Sequence, residues 1–288
     1  MSKTWRDYLD LYRTTEPLNI EEWLHTKCLK FDEYLATHHL SGAVVSVSGG
    51  IDSALTLCLL CYTYLLPNSH LKKIVALNQP IHSSQWAHDR SVELCKILDV
   101  ELYTIDQTSI HENLVNTIET ATSMTGTPFS KGQLRSYMRT PANYYVSQML
   151  GEQGFPAVVV GTGNKDEDGF LAYFCKYGDG AVDIQLISDL HKHQVYQIAR
   201  HLYVPDSILS APPSADLWEN QEDETELGFS YDFVEFYTGY FSKLSVYKQT
   251  ECIQSLTPES KLECLKNIDS CVNIHRRNRH KLVGVVNL

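Results

Sequence analysis

The residues with the most legible chemistry are Ser46-Val47-Ser48-Gly49-Gly50-Ile51-Asp52-Ser53, which follow Gly42-Ala43-Val44-Val45 and lead into Ala54–Leu60. A β-branched run, two glycines and a helix-forming run predict strand, tight turn and helix. Such a turn frees backbone N–H groups. With the first unpaired N–H groups of the helix, they make a concave site for an anion. Ser48 and Ser53 add hydroxyl donors, and Asp52 can hold a cation that bridges phosphates. The stretch lacks the Gly-Lys-Ser/Thr ending of a Walker loop and the G-x-G-x-x-G spacing of a dinucleotide fingerprint. The plainer alternative is an ordinary strand–helix turn.

A second constellation weighs against that alternative. Gly161-Thr162-Gly163-Asn164-Lys165-Asp166-Glu167-Asp168 directly follows the apolar run Ala157–Val160. Thr162 offers a hydroxyl, and Glu167 is placed to join Asp52 around a divalent ion. Magnesium is expected, bound through one or two carboxylates plus substrate phosphates. Cys175-Lys176-Tyr177-Gly178-Asp179-Gly180-Ala181-Val182-Asp183 follows, with Lys192 at the start of the next helix, then Pro212–Trp218 and Asp223–Gly228. Taken singly, Lys176 and Lys192 read as surface lysines, and the acids of 222–226 as a solvated helix start. His191 and His193, two residues apart, fall on different sides of a helix and read as surface histidines rather than a metal pair. Tyr144 and Tyr145 read as packing or dimer contacts.

The elements that must position these groups alternate. Strands are expected at 43–47, 74–77, 100–105 and 157–160, and helices at 20–37 (capped by Asn19), 52–66, 84–98, 107–122 and 190–202. A polar loop at 123–132 is expected to precede a helix whose cap is Thr140 and whose first-turn proline is Pro141. Residues 1–20 read as polar, with a break at Pro17. After 205 a Pro/Ser/Asp-rich loop gives way to helical pieces near 230–244 and 258–272. The pattern predicts an α/β fold, a doubly wound and mostly parallel sheet with helices on both faces. Ligands collect beyond the carboxyl ends of such strands, where both constellations lie. One domain over 1–288 is expected: a helical segment 1–40, a nucleotide-binding core 41–205, and a substrate loop with C-terminal helices 206–288.

Composition narrows the function further. A net charge of −11 over 288 residues argues against a broad nucleic-acid footprint. The N-terminus has no apolar signal core and carries early acids, and the longest apolar stretch, 54–66, is too short to cross a bilayer. No membrane association and a cytoplasmic location are expected. The 8 cysteines are scattered, and Cys58 and Cys61 sit in a helix that is apolar all round, so reduced buried thiols are expected.

Ser-Gly-Gly-Ile-Asp-Ser resembles the pyrophosphate loop of ATP pyrophosphatases (the PP-loop superfamily). Gly161-Thr162, Lys176-Tyr177-Gly178-Asp179-Gly180, Pro213-Ser214-Ala215-Asp216-Leu217 and Asp223-Glu224-Thr225-Glu226-Leu227-Gly228 follow in order. Together they resemble the NAD synthetase family over about residues 20–282. The resemblance implies a Rossmann-like fold of the adenine nucleotide alpha hydrolase kind. It also implies a ligase that adenylates the nicotinate carboxylate of deamido-NAD with ATP, then amidates it to give NAD, AMP and pyrophosphate.

Residue by residue, the resemblance implies that 46–53 wrap the ATP phosphates, with Asp52 and Glu167 as magnesium ligands. Thr162, Lys192 and Ser214 match ATP contacts, and Gln85 is expected near the adenine. Asp52, Glu167 and Lys192 carry the catalytic expectation. Arg139 (with Arg135 in reserve), Lys176, Asp183, His280 and Lys281 match contacts to deamido-NAD. Two departures stand out. The second strand ends Leu77-Asn78-Gln79-Pro80 where the family has an arginine for adenosine, and one extra residue precedes Lys176. About forty residues precede the glycine loop, too few for the glutaminase domain that some members carry. Direct use of ammonia is therefore expected, with a separate glutaminase partner not indicated. A homodimer is implied. The alternatives are another pyrophosphate-loop amidating or thiolating enzyme, and a nucleotide-binding regulator without catalysis.

Overall fold

The computed structural model describes residues 3–212 and 222–287. In chain order these form α1 (Trp5–Thr15), α2 (Ile20–Thr37), β1 (Gly42–Ser46), α3 (Ile51–Tyr64), β2 (Lys73–Asn78), α4 (Gln85–Ile97), β3 (Leu102–Thr104), α5 (Thr108–Thr122) and α6 (Pro128–Glu152). Next come β4 (Ala157–Gly161), β5 (Ile184–Gln185), α7 (Lys192–His201) and four shorter or C-terminal helices. Those are α8 (Asp206–Leu209), α9 (Asp223–Leu227), α10 (Tyr231–Glu235) and α11 (Val246–Ser255), and α12 (Pro258–Asn278) follows. A π-helical turn spans Lys165–Leu171.

The strands pair in parallel in the order β3-β2-β1-β4-β5. The winding direction reverses between β1 and β4, the expected doubly wound arrangement. Val45 is in register with Val160, so the glycine loop after β1 and Gly161-Thr162-Gly163 after β4 leave the sheet side by side. Alternation along β1 sends Ala43 and Val45 to the face covered by α2, α3 and α7, while Val44 packs with Val75, Leu77 and Leu150 on the other. The run Leu55, Leu57, Leu59 and Leu60 is fully buried, as an all-apolar helix requires.

Two stretches depart from expectation. Residues 1–20 contain α1, started by a reciprocal cap in which Thr4 Oγ1 accepts from the Asp7 N–H at 3.2 Å and Asp7 Oδ2 from the Thr4 N–H at 2.6 Å. Its Trp5 is fully buried, with ring contacts to Phe233 (5.2 Å) and Phe236 (5.8 Å) in a second apolar cluster that holds the C-terminal helices.

The loop expected at 123–132 is instead cut short by α6, which starts at Pro128 behind a Thr127 cap and passes straight through Pro141. A mid-helix proline costs roughly 3 kcal/mol. Burial of Asn143, Ser147 and Leu150 under the sheet offsets it, and Ser147 Oγ donates to Ala157 O at 2.7 Å. The 230–244 helix is α10 continued by a π-helical turn over Phe236–Tyr240 and a 3-10 turn over Phe241–Lys243. The extra residue before Lys176 coincides with the π-helical turn at 165–171, the conformation that takes an added residue without breaking a helix. Cys58 is buried and burial pushes its thiol up to about 12, consistent with an inert reduced thiol.

Candidate functional site

Lys192 opens α7 and is only 5% exposed. Its Nζ donates to Asp52 Oδ2 and to Glu167 Oε1, both at 2.6 Å. Asp52 comes from the first turn of α3, behind the glycine loop, and Glu167 from the π-helical turn after β4. Three residues that the sequence separates by 115 and 25 positions thus meet at two adjacent strand ends. Burial opposes charge on Lys192, yet the two carboxylates outweigh it and hold the ammonium above its ordinary value. The carboxylates share that one cation unequally. Burial, with repulsion from Glu167, keeps Asp52 above the usual carboxylate range. For Glu167 burial acts the same way, but Lys192 outweighs it and holds it below.

Asn164 ties the same turn to the glycine loop. Its Nδ2 donates to Asp52 Oδ1 at 3.0 Å, and its Oδ1 accepts from the N–H groups of Asp166 and Glu167, each at 3.0 Å. Ser53 Oγ accepts from the Ser48 N–H (3.2 Å) and donates to Gly50 O (3.0 Å), which closes the glycine loop on itself. Gly49 has φ +81°, and a Cβ there would run into the Ala87 carbonyl of α4. Only glycine fits that position.

Beneath the loop, Gln79 Nε2 donates to Asn143 Oδ1 (2.6 Å) and Ser46 Oγ (3.1 Å), and its Oε1 accepts from Gln107 (2.7 Å). Asn78 Nδ2 donates to Val47 O at 2.9 Å. The residues that stand in place of the family's arginine therefore brace the floor of the cleft.

Ser46 through Ser53, Thr162, Glu167, Lys192 and Arg139 all line one cleft, joined by Asp168, Asp179 and Asp223. Asp223 is buried, with Oδ2 accepting from Tyr231 OH at 3.2 Å, and burial raises it to about 7. Arg139 Nε donates to Gln79 O at 3.2 Å. The remaining expected contacts lie apart from these. Gln85 points to Asp89 (2.9 Å), and Trp86, His88 and Arg90 are the side chains of α4 that reach the cleft. Lys176 Nζ donates to Gly284 O (2.8 Å) and Lys281 Nζ to Phe174 O (2.7 Å), while His280 Nδ1 lies 3.0 Å from Arg277 O. Asp183 accepts from the Val159 N–H (2.7 Å) and Tyr144 OH (3.1 Å). Ser214 lies outside the described residues.

The surface reading of His191 is overturned. It is 1% exposed and its Nδ1 lies 2.7 Å from Asp166 Oδ1. Two functional candidates escaped the sequence reading, Asn164 and Asp223. Asn164 carried a signal, an Asx cap one residue ahead of three consecutive acids. Asp223 carried none beyond its motif.

The cleft can hold an anion on backbone N–H groups and a cation on carboxylate oxygens, with a lysine between them. Comparison with known proteins agrees with that chemistry. The NAD synthase family model matches residues 23–283. The NH(3)-dependent NAD(+) synthetase of Mycoplasmopsis pulmonis is 35% identical over 217 residues, 75% of this chain and 75% of that one. That of Saccharolobus solfataricus is 33% identical over 257 residues, 86% of this chain and 82% of the other. Among solved structures, the NMN synthetase of Francisella tularensis superposes with a TM-score of 0.76 at 27% identity, over 94% of this chain and 99% of that one. On the family match and the identity of these relatives, the chain belongs to the NAD synthase family.

Proposed function

We propose that this chain is an ATP-dependent ligase that joins ammonia to the nicotinate carboxylate of deamido-NAD, releasing AMP and pyrophosphate. The observation that carries the reading is the Lys192 ammonium clamped between Asp52 and Glu167 beneath the glycine loop. The carboxylate oxygen must attack the α-phosphorus of ATP, so one anion approaches another and cancelling charge is the main task. Backbone N–H groups of the glycine loop and the first turn of α3 would take the departing pyrophosphate, with the Ser48 N–H released from Ser53 Oγ, and Lys192 offers its charge at the α-phosphate. Ammonia then displaces AMP from the acyl-adenylate. No side-chain nucleophile takes part.

An all-oxygen donor pair facing one cation fits magnesium, so Asp52 and Glu167 would hold it together with substrate phosphates. When bound, that ion neutralises phosphate charge. Thr162, Gln85 and Ser214 are assigned to ATP. Arg139, Lys176, Asp183, His280 and Lys281 are assigned to deamido-NAD, with the backbone bonds of the two lysines giving way to substrate. The whole chain acts as one catalytic unit in the cytoplasm; no helix among the described residues is long and apolar enough to cross a membrane. A homodimer is supported by the stripe Ile110, Leu114 and Ile118 on α5, exposed at helical spacing.

The likeness to an NMN synthetase favours a second acceptor, nicotinate mononucleotide, which carries the same carboxylate. Purified protein with ATP and magnesium, offered each acceptor with ammonium or glutamine, tests both. NAD formed from deamido-NAD with ammonium supports the main reading. Amide formed only from the mononucleotide replaces it, turnover with glutamine alone removes direct use of ammonia, and no amide with any pairing refutes the ligase.

A further inference from the structure

Asp166 and His191 are buried, charged or chargeable, and have no part in the mechanism above. Asp166 is fully buried and His191 is 1% exposed. Lys165 Nζ lies 3.1 Å from His191 Nε2, His191 Nδ1 lies 2.7 Å from Asp166 Oδ1, and Asp166 Oδ2 accepts from the backbone N–H of Lys192 at 2.8 Å. A lysine ammonium only donates, so Nε2 is assigned as acceptor and Nδ1–H as donor to the carboxylate. The Asp166 N–H is itself held by Asn164 Oδ1 at 3.0 Å.

We propose that Asp166 and His191 form a positioning pair that fixes the backbone of Lys192, so that its ammonium can leave Asp52 and Glu167 for the α-phosphate without the helix shifting. Two neighbouring residues of one π-helical turn grip the start of α7 at different atoms. Glu167 takes the Lys192 side chain, and Asp166 takes its backbone N–H, an otherwise unpaired donor at the first turn of a helix. The side chain must change partners when phosphate and metal arrive, whereas the backbone clamp need not. His191 orients the Asp166 carboxylate so that Oδ2 stays on that N–H. A displacement of about 1 Å at a reacting group is enough to cost about a hundredfold in rate. The inference rests on the role given to Lys192 above.

A double-mutant cycle separates positioning from mere stability. Asp166→Asn is expected to lower kcat for amide formation about tenfold or more, with KM for ATP changed less than about threefold. In a Lys192→Met background the same change should alter kcat less than about twofold, because nothing is left to position. His191→Asn keeps an N–H where Nδ1 stands and should retain kcat within about threefold, whereas His191→Phe should fall with Asp166→Asn. Should Asp166→Asn fail to fold, His191→Phe and His191→Asn run in both backgrounds give the same readout. Equal losses in the two backgrounds, or His191→Phe as active as His191→Asn, overturn the pair while leaving an active wild-type enzyme. A wild-type protein that forms no amide removes the pair together with the function it serves.

Discussion

Replacing Lys192 with methionine keeps most of the apolar stem of the side chain and removes the ammonium, with its charge and its two hydrogen bonds. The structure then sets the size of the effect. Asp52 Oδ2 and Glu167 Oε1 each lose a 2.6 Å charge-assisted bond and face one another without a cation. Breaking one partner of a buried ion pair costs on the order of 3–5 kcal/mol. Removing a preorganised charge from a transition state costs about 10²–10³ in kcat, or about 2.7–4 kcal/mol.

The two losses should be separable by magnesium. On the magnesium assignment proposed above, the wild-type ammonium and the ion compete for the same two carboxylates, and in the variant the ion has them alone. A tenfold gain in magnesium affinity adds about 1.4 kcal/mol of stability at saturating ion. For a protein of this size each kcal/mol moves Tm by roughly 2–4 °C. Thermal melts with and without magnesium, beside steady-state amide formation, measure both effects. The reasoning fails if Lys192→Met turns over within threefold of wild type, or if magnesium raises its Tm no more than that of wild type.

Two further outcomes follow from single positions. Gly49→Ala places a methyl at φ +81° and against the Ala87 carbonyl, so it should destabilise by about 1–3 kcal/mol and weaken ATP binding, read by denaturant unfolding and nucleotide titration. Wild-type stability and affinity would show that the loop tolerates a side chain. Asp223 lies near its ordinary 3.8 when unfolded and at about 7 in the fold, where burial disfavours its charge. The unfolded chain therefore releases this proton first, and the penalty grows from about pH 4 and is complete above pH 7. Asp223→Asn should stabilise more at pH 8 than at pH 5, by roughly 2–3 kcal/mol, in paired denaturant titrations. An equal effect at the two pH values would contradict the burial argument.

Local signals made the sheet and the phosphate loop readable. β1, β2 and β4 are short β-branched runs bounded by glycines or loops, and the helix-forming runs between them are long enough to be told from strands. Thr127-Pro128 and Thr140-Pro141 present the same cap-and-proline signal, and only packing under the sheet decides that the first opens α6 and the second lies inside it. α1 has just Trp5 and Leu9 to bury, so its periodicity is faint. Its partner is an aromatic cluster more than 200 residues away, which no local rule can supply.

The site divides in the same way. Asp52 and Glu167 are legible because carboxylates beside glycine turns at strand ends have a recognisable chemistry. His191 is not: helical spacing places it outward, and only the sheet register that brings the π-helical turn against α7 shows it buried on Asp166. The π-helical turn itself could be read from sequence only as one residue too many.

The central claim, that the nicotinate carboxylate attacks the α-phosphorus of ATP, is tested most directly by isotope transfer. Deamido-NAD labelled with ¹⁸O in that carboxylate is turned over with ATP, magnesium and ammonium, and the products are separated for mass spectrometry. The account predicts one labelled oxygen in each AMP and none in pyrophosphate. Unlabelled AMP beside NAD, or label in a released phosphate other than AMP, would contradict it.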